Sequence, residues 1–250
     1  MRFRLKAFGL HLSSSILVLS AILGALYFGW YYWPGWYLAT ASRVVLTMIF
    51  VDAALGPLVT LIVASPSKSK RELTRDIAMI VAVQLIALAY GTFTLWHGRP
   101  LYYAFSVDRL ELVQASDIGA QERALARKEN PRFAPAWYDG PRWVWAPLPD
   151  DPKVQLNIVQ SAISGGDDVI DMPRYFKPWS GCAAQIREHL KRIDRLPFSR
   201  RQHSDLIRKA KALDLPNDDP DALLFTGRGR PLVAIFDTRT LKVRAILDAD

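Results

Sequence analysis

Asp52 is a carboxylate in a place where carboxylates are expensive. It lies in VDAALGPLVT (51–60), within an apolar run over 44–64 that is long enough to cross a bilayer. An ionisable residue at that depth serves a proton or ion relay, a contact that holds helices together, or a partner. A relay needs several carboxylates or histidines in series, and Asp52 is the only carboxylate in the three apolar runs of the chain. Gly56 and Pro57, a helix-disturbing pair, follow it closely. The other chemically capable residues do not assemble. His11, His97, His189 and His203 have no metal-binding spacing and read as surface or interfacial. No nucleophile elbow, Walker loop or dinucleotide fingerprint is present. Gly227-Arg228-Gly229-Arg230 falls between two expected strands instead of before a helix, so it reads as a basic turn and not as a phosphate loop. Asp167, Asp168 and Asp171 form a small acidic group without a full ligand set for a divalent ion, as do Asp214, Asp218, Asp219 and Asp221. Cys182 is the single cysteine, which excludes an intramolecular disulfide and a cysteine-based zinc site. It reads as a small buried residue. The expectation is no catalysis, no cofactor and no metal.

Three apolar runs position Asp52. The first extends over 7–33, about twice the length of a signal-peptide core, and ends in bulky aromatics. It therefore reads as an uncleaved anchor. The second covers 44–64 and the third 77–96. The expected spans are about 9–31, 44–64 and 77–96, in a membrane domain over 1–98. Residues 1–98 hold eight Lys/Arg and three Asp/Glu, and residues 99–250 hold 24 and 21. The basic excess thus flanks the spans and is no footprint of nucleic-acid binding. The Lys/Arg-rich flanks are the N-terminus and the 65–76 loop, which the positive-inside rule puts in the cytoplasm, leaving everything after 96 in the periplasm. Trp30, Trp33 and Trp36, with Tyr31, Tyr32 and Tyr37, are expected to form a membrane-interface belt around a tight Pro34-Gly35 turn. Arg43 is placed at the interface, and nine residues of helix put it on the face opposite Asp52. Gln84, about 18 Å below the outer edge of the third span, is within reach of Asp52, about 12 Å deep, for an interhelical hydrogen bond. Ser20, Gly24, Ala53, Ala54, Gly56, Ala87 and Gly91 are small residues suited to close helix contact. Asp52 and Gln84 then either hold the bundle together, or Asp52 faces a lateral groove and meets a polar group on another protein's helix.

Residues 99–250 read as a soluble α+β domain. The expected elements are one strand from 103, bulged near Asp108; a charged helix over 118–129; an irregular packed loop over 130–151; helices over 154–164, 181–194 and 201–213; and a hairpin of 232–236 and 241–247.

VDAALGPLVT (51–60), DIAMIVAVQLIALAYG (76–91) and RPLYYAFSVDRLELVQASDI (99–118) together resemble the TfpX/TfpZ-type family of type IV pilin accessory proteins. The likeness covers roughly 5–120. It rests on the ordered set Asp52, Gly56-Pro57, Asp76, Gln84, Tyr90-Gly91, Arg99-Pro100, Phe105 and Asp108-Arg109, with Leu101 where valine is usual and Leu110 where an aromatic is usual. The resemblance implies a bacterial inner-membrane protein that assists assembly or display of a type IV pilin. It implies no catalysis and no cofactor, and its partners would be the pilin and the lipid bilayer. The rival reading is a membrane-anchored periplasmic enzyme modifying pilin or a lipid-linked substrate.

Overall fold

The computed structural model describes residues 1–212, 221–237 and 239–249. The chain divides into two compact units, Met1–Tyr32 with Thr40–Gly98, and Trp33–Ala39 with Arg99–Asp250.

The first unit is a bundle of three helices, each long and apolar enough to cross a membrane: Arg2–Tyr31, Ser42–Val63 and Lys70–His97. Their outward faces are apolar, with Leu17, Ile62, Val83 and Ile86 each more than 60% exposed, as lipid-facing positions require. The third helix begins at a capping box. The Ser69 hydroxyl accepts the Glu72 N–H, and the Glu72 carboxylate accepts the Ser69 N–H. Two glycines set the helix spacing. A Cβ at Gly91 would lie 2.6 Å from Met48 Cγ, and one at Gly56 would lie 2.0 Å from Gln84 Nε2. Gly24 meets nothing within 4 Å, and Ser20 is exposed, so neither makes the close helix contact expected of it.

The second unit is built on a sheet of eight strands: β1 (Pro100–Ser106), β2 (Arg109–Gln114), β3 (Arg142–Trp145), β4 (Lys177–Pro178), β5 (Lys191–Arg192), β6 (Asp221–Thr226), β7 (Leu232–Phe236) and β8 (Val243–Asp248). The main order is β4-β3-β1-β2-β6-β7-β8, with β5 paired to β6. Several expectations are corrected. The single bulged strand is the hairpin β1–β2, which turns at Val107 with φ 54°. The irregular 130–151 loop contains β3, because Trp143 and Trp145 pair beside Tyr103 and Phe105. The helix expected over 181–194 is only Ala183–His189. β6 is the strand expected before the Gly227–Arg230 turn, whereas the two-residue strands β4 and β5 match no expected element. The helices Ala120–Glu129, Pro152–Ile163 and Arg200–Ala212 and the hairpin β7–β8 match expectation. Residue 213 at one helix end, Thr238 in the hairpin turn, and Asp214, Asp218 and Asp219 lie outside the described residues.

The sheet is curled. β6 is three strands from β3, about 14 Å across a flat sheet at ~4.8 Å per strand. Yet the rings of Trp143 on β3 and Phe225 on β6 have centroids 5.8 Å apart, and Tyr103 stands 5.1 Å from one and 5.3 Å from the other. The inner face is thus an aromatic core. On the outer face Tyr102 and Ala104 pack under Phe133 and Phe176, and the Tyr102 hydroxyl donates to the Phe133 carbonyl at 2.6 Å. The Arg200–Ala212 helix covers Ala222, Val233 and Ile235 through Leu206 and Ala210.

The segment Trp33–Ala39 is clasped by the β6–β7 turn. Leu38 is fully buried, and its carbonyl accepts the Gly229 N–H at 2.9 Å. A Cβ on Gly227 would lie 2.8 Å from that same carbonyl oxygen. The Gly-Arg-Gly-Arg stretch is therefore a basic turn whose glycines admit a second backbone. Gly227→Ala is expected to push the segment away at a cost of roughly 1–3 kcal/mol. Chemical denaturation would show the loss, and protease cutting within 33–39 would increase.

Candidate functional site in the helical bundle

The site begins with a hydrogen bond that Pro57 cannot make. Residues Phe50–Leu55 widen into a π turn, in which the Gly56 N–H bonds to the Val51 carbonyl five residues back. The next bond in that register would run from residue 57 to the Asp52 carbonyl. Proline has no N–H, so that carbonyl is left over in the middle of a membrane helix. Gln84 of the third span supplies the donor, its Nε2 lying 3.1 Å from the Asp52 carbonyl oxygen. Gly56 makes room for this amide, because any side chain there would occupy its volume.

The other end of Gln84 reaches the first span. Its Oε1 lies 2.7 Å from His11 Nε2, and His11 Nδ1 lies 2.6 Å from Thr60 Oγ1. An amide oxygen only accepts, so His11 donates from Nε2, and a ring carrying that single proton accepts a hydrogen bond from the Thr60 hydroxyl at Nδ1. The result is one chain of donors and acceptors. Thr60 donates to His11, His11 to Gln84, and Gln84 to the Asp52 backbone, linking all three spans. In an apolar medium such a chain is favourable only when every member is satisfied. His11 was expected to be surface or interfacial and is instead a central member. Its position inside the first apolar run was the available signal.

The Asp52 carboxylate is not in that chain. The residue is 4% exposed, and Oδ2 has no hydrogen-bond partner among the described residues. It lines a groove of about 150 Å³ with His11, Ser15 and Leu19 of the first span and Gln84 and Leu88 of the third. The groove rim includes Val18, Val81 and Leu85, which are 45%, 37% and 57% exposed, so it opens sideways between the first and third spans. Asp52 therefore has two parts with different surroundings. Its carbonyl is bound within the bundle, and its carboxylate is left at the floor of a lateral groove. Burying an unpaired carboxyl group is costly, so a donor entering the groove would recover that cost.

The remaining candidates fall into place around these. Arg43 is exposed. Trp30 is half-buried in the first unit, whereas Trp33 and Trp36 belong to the second unit, on either side of a one-turn helix start at Gly35. Asp76 is paired with Lys68 at 2.7 Å, and Phe105 is buried in the sheet. Asp108 and Arg109 meet at the β1–β2 turn.

The second unit holds no assembled catalytic group among the described residues. Burial pushes the Cys182 thiol up to about 11, and Sγ donates to the Trp179 carbonyl at 2.9 Å, the opposite of an activated nucleophile. Asp168 and Asp171 cap a turn: Asp168 Oδ1 accepts the Val169 N–H, and Asp171 Oδ2 accepts the Asp168 N–H. These capping bonds account for the pair structurally, and burial, ahead of neighbouring acids, raises the Asp171 carboxyl to about 6. No group of three or more potential metal ligands occurs among the described residues.

Two proteins similar to this chain are the fimbrial assembly proteins of serogroup I and serogroup E1 from Dichelobacter nodosus, each 29% identical over 131 residues, or 52% of this chain and 51% of the relative. A third, the fimbrial assembly protein of serogroups C1 and C2 from the same organism, is 28% identical over 116 residues, 46% of this chain and 88% of its own length. The chain spans about half the length of the first two relatives. No family model matches it, and no solved structure matches it.

Proposed function

We propose that this chain is an inner-membrane accessory protein of type IV pilus biogenesis, with its N-terminus in the cytoplasm and residues 99–250 in the periplasm. It assists a pilin of the TfpX/TfpZ-dependent kind, in a chaperone-like way and without catalysis. The likeness to fimbrial assembly proteins supports the biological setting. The Asp52 carboxylate, whose Oδ2 has no partner among the described residues, lies on the floor of an open lateral groove and carries the mechanism.

A pilin waiting for assembly is held in the membrane by one apolar helix. A lone apolar helix gains little from other apolar helices in lipid, where packing and interhelical hydrogen bonds decide association. The groove offers both. Its rim is Val18, Val81 and Leu85, and its floor has one strong acceptor. A helix carrying a cation or hydrogen-bond donor at that depth is retained, and an unmarked apolar helix is not. The Thr60–His11–Gln84 chain holds the three spans so that the groove keeps its width.

The test is co-purification from detergent with each pilin of the same organism, combined with photocrosslinking from positions 81 and 85. One pilin should co-purify and crosslink through its apolar helix. Crosslinks confined to the protein's own spans would remove the groove from the mechanism, and binding to no pilin would overturn the proposed function.

A further inference from the structure

Among the described residues, β8 ends the sheet and is paired on one side only, to β7. Its free side borders an open cleft of about 650 Å³, within the ~300–1,000 Å³ range of ligand sites. Trp33, Trp143 and Trp179 line one part of it, and the consecutive residues 242–246 line another. Side chains on a strand alternate between faces, so consecutive residues along one cleft mean that the edge of the strand faces it, backbone N–H and C=O groups included. The curl of the sheet brings this edge toward the β3–β4 end. There β4 is only two residues long, and Trp143 and Trp179 pack edge to face at 5.1 Å.

The cleft thus has a row of outward backbone N–H and C=O groups, those of alternate β8 residues, on one wall and indole rings on the other. A small molecule satisfies one or two such groups. An extended polypeptide satisfies the row, and every second side chain of it points toward the rings. Charge adds a further requirement. Arg244 is already matched by Asp237 at 2.6 Å, whereas Lys242 is exposed at the cleft rim, which suits an acidic residue on the incoming strand.

We propose that the free edge of β8 and the tryptophan cleft receive an extended segment of the pilin's soluble part, carrying alternating apolar side chains and an acidic residue, as an added strand next to β8. This rests on the reading of the chain as a pilin accessory protein. It gives the pilin a second attachment in the same chain as the membrane groove, and two linked weak contacts hold far more firmly than either alone.

The experiment uses the full-length protein in detergent with the purified pilin. Hydrogen exchange over 243–248 should slow at least tenfold on pilin addition, and a photocrosslinker at position 245 should label one extended pilin segment. Ala245→Pro and Ile246→Pro make an internal control. Neighbouring N–H groups on a strand point to opposite sides, so one proline breaks the β7 ladder and the other leaves the fold intact but blocks the added strand. Trp179→Ala, with the fold intact by circular dichroism, should weaken pilin binding at least tenfold. Crosslinks from position 245 to position 245 of a second copy would overturn the proposal in favour of a β8–β8 dimer. Unchanged exchange over 243–248 while the pilin still crosslinks from position 85 would also overturn it and leave the proposed function standing. Failure of the pilin to bind at all would sink both.

Discussion

Gly56→Ala is expected to destabilise the helical bundle by roughly 2–4 kcal/mol, although it adds one methyl group to a helix. Alanine favours a helix over glycine by about 1 kcal/mol, so the sign of this prediction opposes propensity. The added Cβ would lie 2.0, 2.3 and 2.7 Å from three atoms of the Gln84 amide. Gln84 is a flexible side chain and can swing away, but only by leaving the Asp52 carbonyl and His11 Nε2 without their partners. Both sit where no water replaces the lost bonds. Unfolding by SDS titration from mixed micelles measures the loss. Gly24→Ala is the matched control: with nothing within 4 Å of its Cβ it should change stability by no more than ~0.5 kcal/mol. Gly56→Ala combined with Gln84→Ala should cost less than the sum of the two, because the short side chain at 84 removes the overlap. A Gly56→Ala protein as stable as the parent would mean that the amide is not held where the structure has it.

How far this site can be read from the sequence depends on what kind of contact each residue makes. The three spans follow from hydropathy, since lipid imposes the same requirement on every turn of a spanning helix. Gly56-Pro57 stands out as a defect, yet what the defect does is not local. It removes one donor, and the replacement comes from Gln84 on another helix. The relative rotation of three helices decides that His11 faces Gln84 and Thr60, and apolar composition on all sides carries no record of rotation. In the second unit, β7–β8 is legible because its apolar runs flank a turn sequence. The β1–β2 turn is concealed by Val107, a β-branched residue at φ 54°, against its local preference. β3 is concealed by the prolines around it. The clasp of Leu38 by Gly227 and Gly229 joins segments nearly two hundred residues apart, and no periodicity encodes it.

Asp52→Leu separates the two uses of Asp52. If the carboxylate held the bundle together, leucine would weaken it. The carboxylate Oδ2 has no partner among the described residues, and the bond to Gln84 comes from the backbone, which leucine keeps. An aspartate near the middle of a spanning helix costs about 2.5–3.5 kcal/mol on insertion scales, where leucine is favourable by about 0.5 kcal/mol. Asp52→Leu should therefore leave resistance to SDS unchanged or raise it by ~1–3 kcal/mol. Its effect on assembly should be the reverse. Without the acceptor on the groove floor, a marked helix loses the interaction that distinguishes it from lipid, and surface pili should fall at least tenfold. Asp52→Asn identifies what enters the groove. It keeps an acceptor and removes the charge, so a neutral donor on the pilin helix is still held, while a cation is not. Counting pili by shear preparation, beside SDS unfolding of the same variants, reads both effects. A destabilised Asp52→Leu protein would make the carboxylate part of the bundle, and a stable one with normal piliation would remove Asp52 from the recognition of pilin.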